Sequence, residues 1–140
     1  IKTIKDTHGC HQVEMAELLA SSDVISIHVD GRAENNNLVS LEVLASMKHD
    51  VLFINTSRGF VVNPNELATH LSRNPESHAI LDVHDPEPFT ANYPLLGLNN
   101  TSLFPHIAAK TDTAMHNMGW VVRDVDKVLR GEEPMCQACI

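Results

Sequence analysis

Short apolar runs alternate with amphipathic stretches along the chain. Residues 24–29 (VISIHV), 51–55 (VLFIN) and 79–83 (AILDV) are short and rich in β-branched or aliphatic positions, the signature of buried strands. Residues 101–104 form a weaker fourth run and residues 10–13 a very short fifth. Between them the apolar positions switch to helical spacing. Met15, Leu18 and Leu19 fall at i, i+3, i+4, as do Leu41, Leu44 and Ala45 behind Ser40 as N-cap. A third helix has the fullest start signal. Asn63 is its N-cap, Pro64 its first helical residue and Glu66 follows three after the cap, with Leu67, Ala68 and Leu71 as the apolar face. The spacing predicts a long last helix over 113–130, with Met115, Met118, Val122, Val125 and Leu129 on one stripe and Gly131 as its stop. Strands alternating with helices imply βαβ crossovers and an α/β parallel sheet with helices on both faces. Ligands of such sheets bind beyond the carboxyl ends of the strands.

Composition narrows the function classes. The chain has 140 residues, 43% hydrophobic and 20% charged, enough for one domain with one core. A formal net charge of −8 argues against nucleic acid and anionic membranes as partners. The apolar runs are far shorter than the ~20 residues that cross a bilayer. Three cysteines without a secretion-like leader fit a reducing, cytoplasmic setting. The first residue is Ile1, as expected of a processed chain or a piece of a longer one. His8 and His11 share a short spacing but nothing nearby completes a metal set, so no metal is expected. Cys136 and Cys139 form a C-x-x-C on the terminal tail, a weak redox or metal signal.

The residues after each strand carry the chemistry. Asn55-Thr56-Ser57-Arg58-Gly59 follows the second clear strand and sets a permanently charged fork at the ligand edge, suited to a carboxylate. Asp82 closes the third strand, and Asp85-Pro86-Glu87-Pro88 follows it, with two prolines directing Glu87. Pro105-His106 follows the fourth strand, where a rigidified imidazole suits proton transfer near neutrality. Taken singly, a turn arginine, an acidic loop and a structural histidine are the commoner readings. Jointly, Arg, Glu and His at three successive strand ends support one mechanism. Arg58 holds a 2-keto acid, His106 moves the proton and Glu87 stabilises the protonated imidazole.

These motifs, in this order and spacing, resemble the D-isomer-specific 2-hydroxyacid dehydrogenases. The segments are Ser22-Asp23 with the VISIHV run, Asn55 to Gly59, Leu81-Asp82-Val83 with Pro86-Glu87-Pro88, and Pro105-His106-Ile107-Ala108. The resemblance covers residues 9 to 134 and implies a Rossmann-like fold. It implies NAD- or NADP-dependent interconversion of a 2-keto acid and a D-2-hydroxy acid, with Arg58, Glu87 and His106 catalytic. It further implies that His28, Val29, Asn55, Thr56, Ser57, Asp82, His106 and Ala108 line the cofactor, with Asp82 accepting from the nicotinamide carboxamide. Glu87, where the formate dehydrogenase branch has Gln, argues against formate oxidation. Three positions depart from the family: Asp30 for a usual Pro, His84 for a usual aromatic, and Lys110 for a usual small residue.

The six glycines contain no G-x-G-x-x-G turn, the element that brings backbone amides to a pyrophosphate. The chain therefore reads as a partial dinucleotide-binding domain over 1–140 that lacks the first βαβ unit, with a homodimer expected of the full-length protein. The strand at 24–29 would then present an apolar edge that favours self-association. Two other functions stay open: a dinucleotide-sensing, corepressor-like regulator and a catalytically silent fragment.

Overall fold

The computed structural model describes residues 9–135, which leaves Cys136 and Cys139 outside the described residues. The chain divides into two compact units, Ile1–His106 and Ile107–Ile140. In the first, α1 (Met15–Ser21), β1 (Val24–Ile27), α2 (Leu41–Ala45), β2 (Leu52–Asn55), α3 (Pro64–Arg73), β3 (His78–Leu81) and β4 (Thr101–Leu103) follow in order. Short 3-10 turns at Ala33–Asn35 and Gly59–Val61 punctuate the loops after β1 and β2.

The helix starts are set locally. Asn63 accepts hydrogen bonds from the Asn65 and Glu66 amides at 2.9 and 3.4 Å, satisfying donors that the first turn of α3 leaves orphaned. Ser40 caps α2 through the Val43 amide. Ten residues do not hold a helix in water unaided; α3 persists because Leu67 and Leu71 are fully buried, each worth about 1.5–3 kcal/mol.

The four strands form one parallel sheet in the order β1-β2-β3-β4, an α/β Rossmann-like arrangement. Phe53, Ala79 and Leu81 of the sheet pack with Leu44, Val61, Leu67, Leu71 and Leu95 as the core. The register matters most for function. Ile27 pairs with Asn55, Asn55 with Leu81, and Leu81 with Leu103, so four strand-end loops leave from one row. Half-buried polar groups fix the entry to β4. The Asn100 amide donates to the Leu71 and Ser77 carbonyls, each at 3.0 Å, and the Thr101 hydroxyl to Leu98 at 3.0 Å.

Two sequence expectations need correction here. Residues 10–13 are exposed and form no strand; too few apolar positions stand there to hold one against the sheet. The runs at 24–29, 79–83 and 101–104 also extend past their strands, because the ladder ends at the Ile27–Asn55–Leu81–Leu103 row and the chain then turns into the site loops, whereas the run at 51–55 ends with its strand at Asn55.

The second unit carries α4 (Asp112–Met118) and α5 (Val121–Leu129) where one helix over 113–130 was expected. Gly119 and Trp120 keep right-handed helical dihedrals, but the bonds there tighten to i−3 spacing: Trp120 to Asn117 at 3.0 Å and Arg123 to Trp120 at 2.9 Å. Thr111 caps α4 by accepting from the Ala114 amide at 3.1 Å. Gly131, at φ +77°, ends α5 as expected, with the Glu132 amide reaching back to the Lys127 carbonyl at 2.9 Å. Among the described residues no helix is long and apolar enough to cross a membrane.

Candidate active site

Asn55 is fully buried at the end of β2 and builds the loop that follows it. Its side-chain oxygen accepts from the Ser57 amide at 3.0 Å and the Ser57 hydroxyl at 2.8 Å, and its amide donates to the Arg58 carbonyl at 2.9 Å. This ring of bonds orders Thr56, Ser57 and Arg58 and leaves Thr56 and Arg58 exposed. The Arg58 guanidinium donates to the Ser57 carbonyl at 2.6 Å. Its stem lies over the loop after β1, where a Cβ on Gly31 would stand 3.3 Å from Nε.

The next loop is held against this one by a close backbone approach. A Cβ on Gly59 would meet the His84 carbonyl oxygen at 1.9 Å, so only glycine allows the two loops to touch. Asp82 is buried just past β3, its amide bonded to the Asn55 carbonyl at 3.0 Å. Beyond it the chain passes through His84 to Glu87. His84 is buried, bonded through Nε2 to the Phe104 carbonyl at 2.7 Å, and packed edge-on against Phe89 and Tyr93.

His106 ends the row after β4. It adopts φ +54°, a left-handed conformation that few non-glycine residues take, and its Nδ1 lies 2.7 Å from Glu87 Oε1. Both side chains keep substantial exposure, 47% for His106 and 37% for Glu87, so the pair is open to a ligand. A carboxylate only accepts, so Nδ1 carries the hydrogen of this bond and Nε2 remains for a substrate.

The structure thus brings Glu87 and His106 into contact and sets Arg58 on the same strand-end edge, two strands away. Among the described residues Arg58 makes no direct bond to either. His28 and Val29 follow β1 and line an apolar groove of about 230 Å³ with Leu18, Ile27, Leu38 and Val43. The His28 Nε2 is 2.8 Å from the Ser26 hydroxyl. Ala108 belongs to the second unit. Asp30 does not present a bare charge near the groove: Arg32 donates to both its oxygens, at 2.8 and 2.9 Å from Nε, and holds its carboxyl below the usual range.

The sequence reading passed over the packing around His84. Phe89 and Tyr93 carry the signal, two aromatics shortly after a lone histidine in a loop otherwise rich in acid and proline. Tyr93 stays a neutral phenol. Burial, helped by the Asp85 carboxylate, pushes its hydroxyl up to about 12.

Comparison with known proteins bears on the family and the fold. Residues 2–108 match the family model described as the D-isomer specific 2-hydroxyacid dehydrogenase, NAD binding domain. A glyoxylate reductase of Thermofilum pendens is 38% identical over 122 residues, covering 86% of this chain and 36% of that protein. A hydroxypyruvate reductase of Blautia hydrogenotrophica is 34% identical over 127 residues, covering 90% of this chain and 39% of that protein. Among solved structures, a D-lactate dehydrogenase of Aquifex aeolicus complexed with NAD and lactic acid superposes with a TM-score of 0.80 at 31% identity, over 94% of this chain and 44% of that one. The chain therefore spans less than half the length of these relatives. With the family model covering most of its residues and a parallel sheet of matching topology, the chain belongs to the NAD-binding domain of the D-isomer-specific 2-hydroxyacid dehydrogenases.

Proposed function

We propose that this chain supplies the acid/base pair and the carboxylate anchor of an oxidoreductase that interconverts a small 2-keto acid and its D-2-hydroxy acid. The observation that carries the reading is the 2.7 Å contact between His106 Nδ1 and Glu87, on a pair left open to ligand. Glu87 fixes the tautomer, so Nε2 faces the reacting oxygen. In reduction the imidazolium gives its Nε2 proton to the keto oxygen; in oxidation the neutral ring takes the hydroxyl proton. Arg58 has an exposed fork with donors to spare beyond its bond to Ser57, and it binds the substrate carboxylate and polarises the carbonyl. β2 and β4 lie roughly 10 Å apart at the sheet edge, a gap that an arginine side chain and a small keto acid together span.

The residues present fit part of a dinucleotide. The apolar groove at His28 and Val29 suits one flat ring, Thr56 and Ser57 lie on the loop beside it, and buried Asp82 stands at the site edge. No glycine turn for the pyrophosphate is among these 140 residues. When bound, NAD or NADP supplies the hydride acceptor or donor for the substrate carbon. Relatives named for glyoxylate and hydroxypyruvate support keto acids of two or three carbons as substrates. A cytoplasmic location and a homodimeric full-length protein complete the proposal.

The test is oxidation of NADH by the protein with glyoxylate, hydroxypyruvate or pyruvate. His106→Asn is expected to lower kcat by about 10²–10⁴. Arg58→Lys is expected to raise KM strongly, because a point charge does not replace a fork. Cofactor binding with no turnover on any of these acids would make the protein a dinucleotide sensor instead, and no binding at all a silent fragment.

A further inference from the structure

We propose that His84 is a positioning residue, the post that joins the three loops carrying Arg58, Glu87 and His106. The inference rests on the acid/base reading above and deepens it. Each loop meets His84 differently. Its backbone carbonyl is the surface against which Gly59 packs, next to Arg58. Its own loop leads, three residues on, to Glu87. Its imidazole reaches the Phe104 carbonyl, two residues before His106, at 2.7 Å.

The chemistry of the ring explains why a histidine stands here. A carbonyl only accepts, so Nε2 carries the hydrogen and donates it to Phe104. In the neutral ring Nδ1 is then the acceptor, and the Tyr93 hydroxyl faces it at 3.4 Å. Tyr93 keeps its proton throughout the physiological range and so donates. Phe89 packs edge-on to His84 at 4.6 Å between centroids and stacks on Tyr93 at 4.8 Å, so the imidazole sits against two aromatic rings that hold each other in place. A phenyl ring would fill the same space but leave the Phe104 carbonyl without its donor. His106, in its left-handed conformation, depends on the path of that segment to bring Nδ1 onto Glu87.

Imidazole ¹⁵N shifts of the 140-residue chain, recorded above neutrality, read the tautomer of each histidine and test the role. In the unaltered chain His84 is expected as the Nε2–H tautomer with a slowly exchanging proton, and His106 as Nδ1–H. In His84→Phe the ratio of Nδ1–H to Nε2–H at His106 is expected to fall roughly fivefold, the loss expected for an exposed pair of this kind. Glu87→Ala should produce the same fall and add nothing further in the His84→Phe background. His84→Gln, whose side-chain amide can donate to Phe104, should restore part of the ratio. Tyr93→Phe keeps the ring stack and should produce a smaller fall. The proposal is overturned if His84 is Nδ1–H in the unaltered chain. It is also overturned if His84→Phe folds with the His106 tautomer unchanged while Glu87→Ala shifts it. If Glu87→Ala itself leaves His106 unchanged, the acid/base reading fails, and the role of His84 with it.

Discussion

His70 shows how one buried side chain sets a pH limit on this fold. It lies on α3 with its Nε2 enclosed and without a hydrogen-bond partner among the described residues, and burial holds the imidazole below its ordinary value of 6.5. The folded ring therefore stays neutral where the unfolded ring takes a proton. The unfolded state binds more protons in that window, so stability rises with pH up to about 6.5 and is flat in this contribution above it. Urea midpoints at about pH 5.5 and about pH 7.5 should differ less in His70→Gln than in the unaltered chain; equal differences would contradict the assignment. Arg58 and Glu87 were legible as candidates because each follows a strand of clear pattern, and His106 because it follows the weaker fourth run behind a proline. The roles of Asn55 and His84 were not. Asn55 reads as the last residue of an apolar run, and only its burial and three bonds identify it as the support of the Arg58 loop. The pairing of Asp30 with Arg32 was hidden for the same reason, since sequence shows a charge but not what it meets.

At the scale of elements, the clearest predictions concern the contact between the loops after β2 and β3. Gly59→Ala places a methyl within 1.9 Å of the His84 carbonyl oxygen, and the obstacle is backbone rather than a flexible side-chain tip. The loops must part, at a cost of about 1–3 kcal/mol, and activity should fall with stability. Thermal unfolding and turnover measured together check this; an unchanged Tm would contradict the close approach. Element starts were readable where local chemistry decides them, as at Asn63-Pro64 and Ser40. Gly131 likewise ended its helix as expected. The turn at Gly119-Trp120 was not readable, because helical dihedrals continue through it and only the hydrogen-bond spacing changes. Residues 10–13 misled by composition alone: they are exposed and belong to none of the four strands of the sheet.

For the whole molecule, the parallel register converts four separate motifs into one edge. Any one-residue slip of β3 or β4 would move Glu87 or His106 out of reach of the other. β1 has one strand neighbour among the described residues, and Val24 on it is 54% exposed. The 140-residue chain should therefore self-associate as its concentration rises; sedimentation showing a monomer with slow amide exchange throughout β1 would contradict this. The central claim is that Glu87 holds the ring of His106, the proposed proton donor, in the tautomer that presents Nε2 to the substrate. Its most direct test is kcat for keto-acid reduction by the protein and by its Glu87→Ala variant. The methyl takes the acceptor away from Nδ1 and leaves the ring free to turn. The variant's kcat should fall by about tenfold or more with KM little changed, while an unchanged kcat would contradict the account.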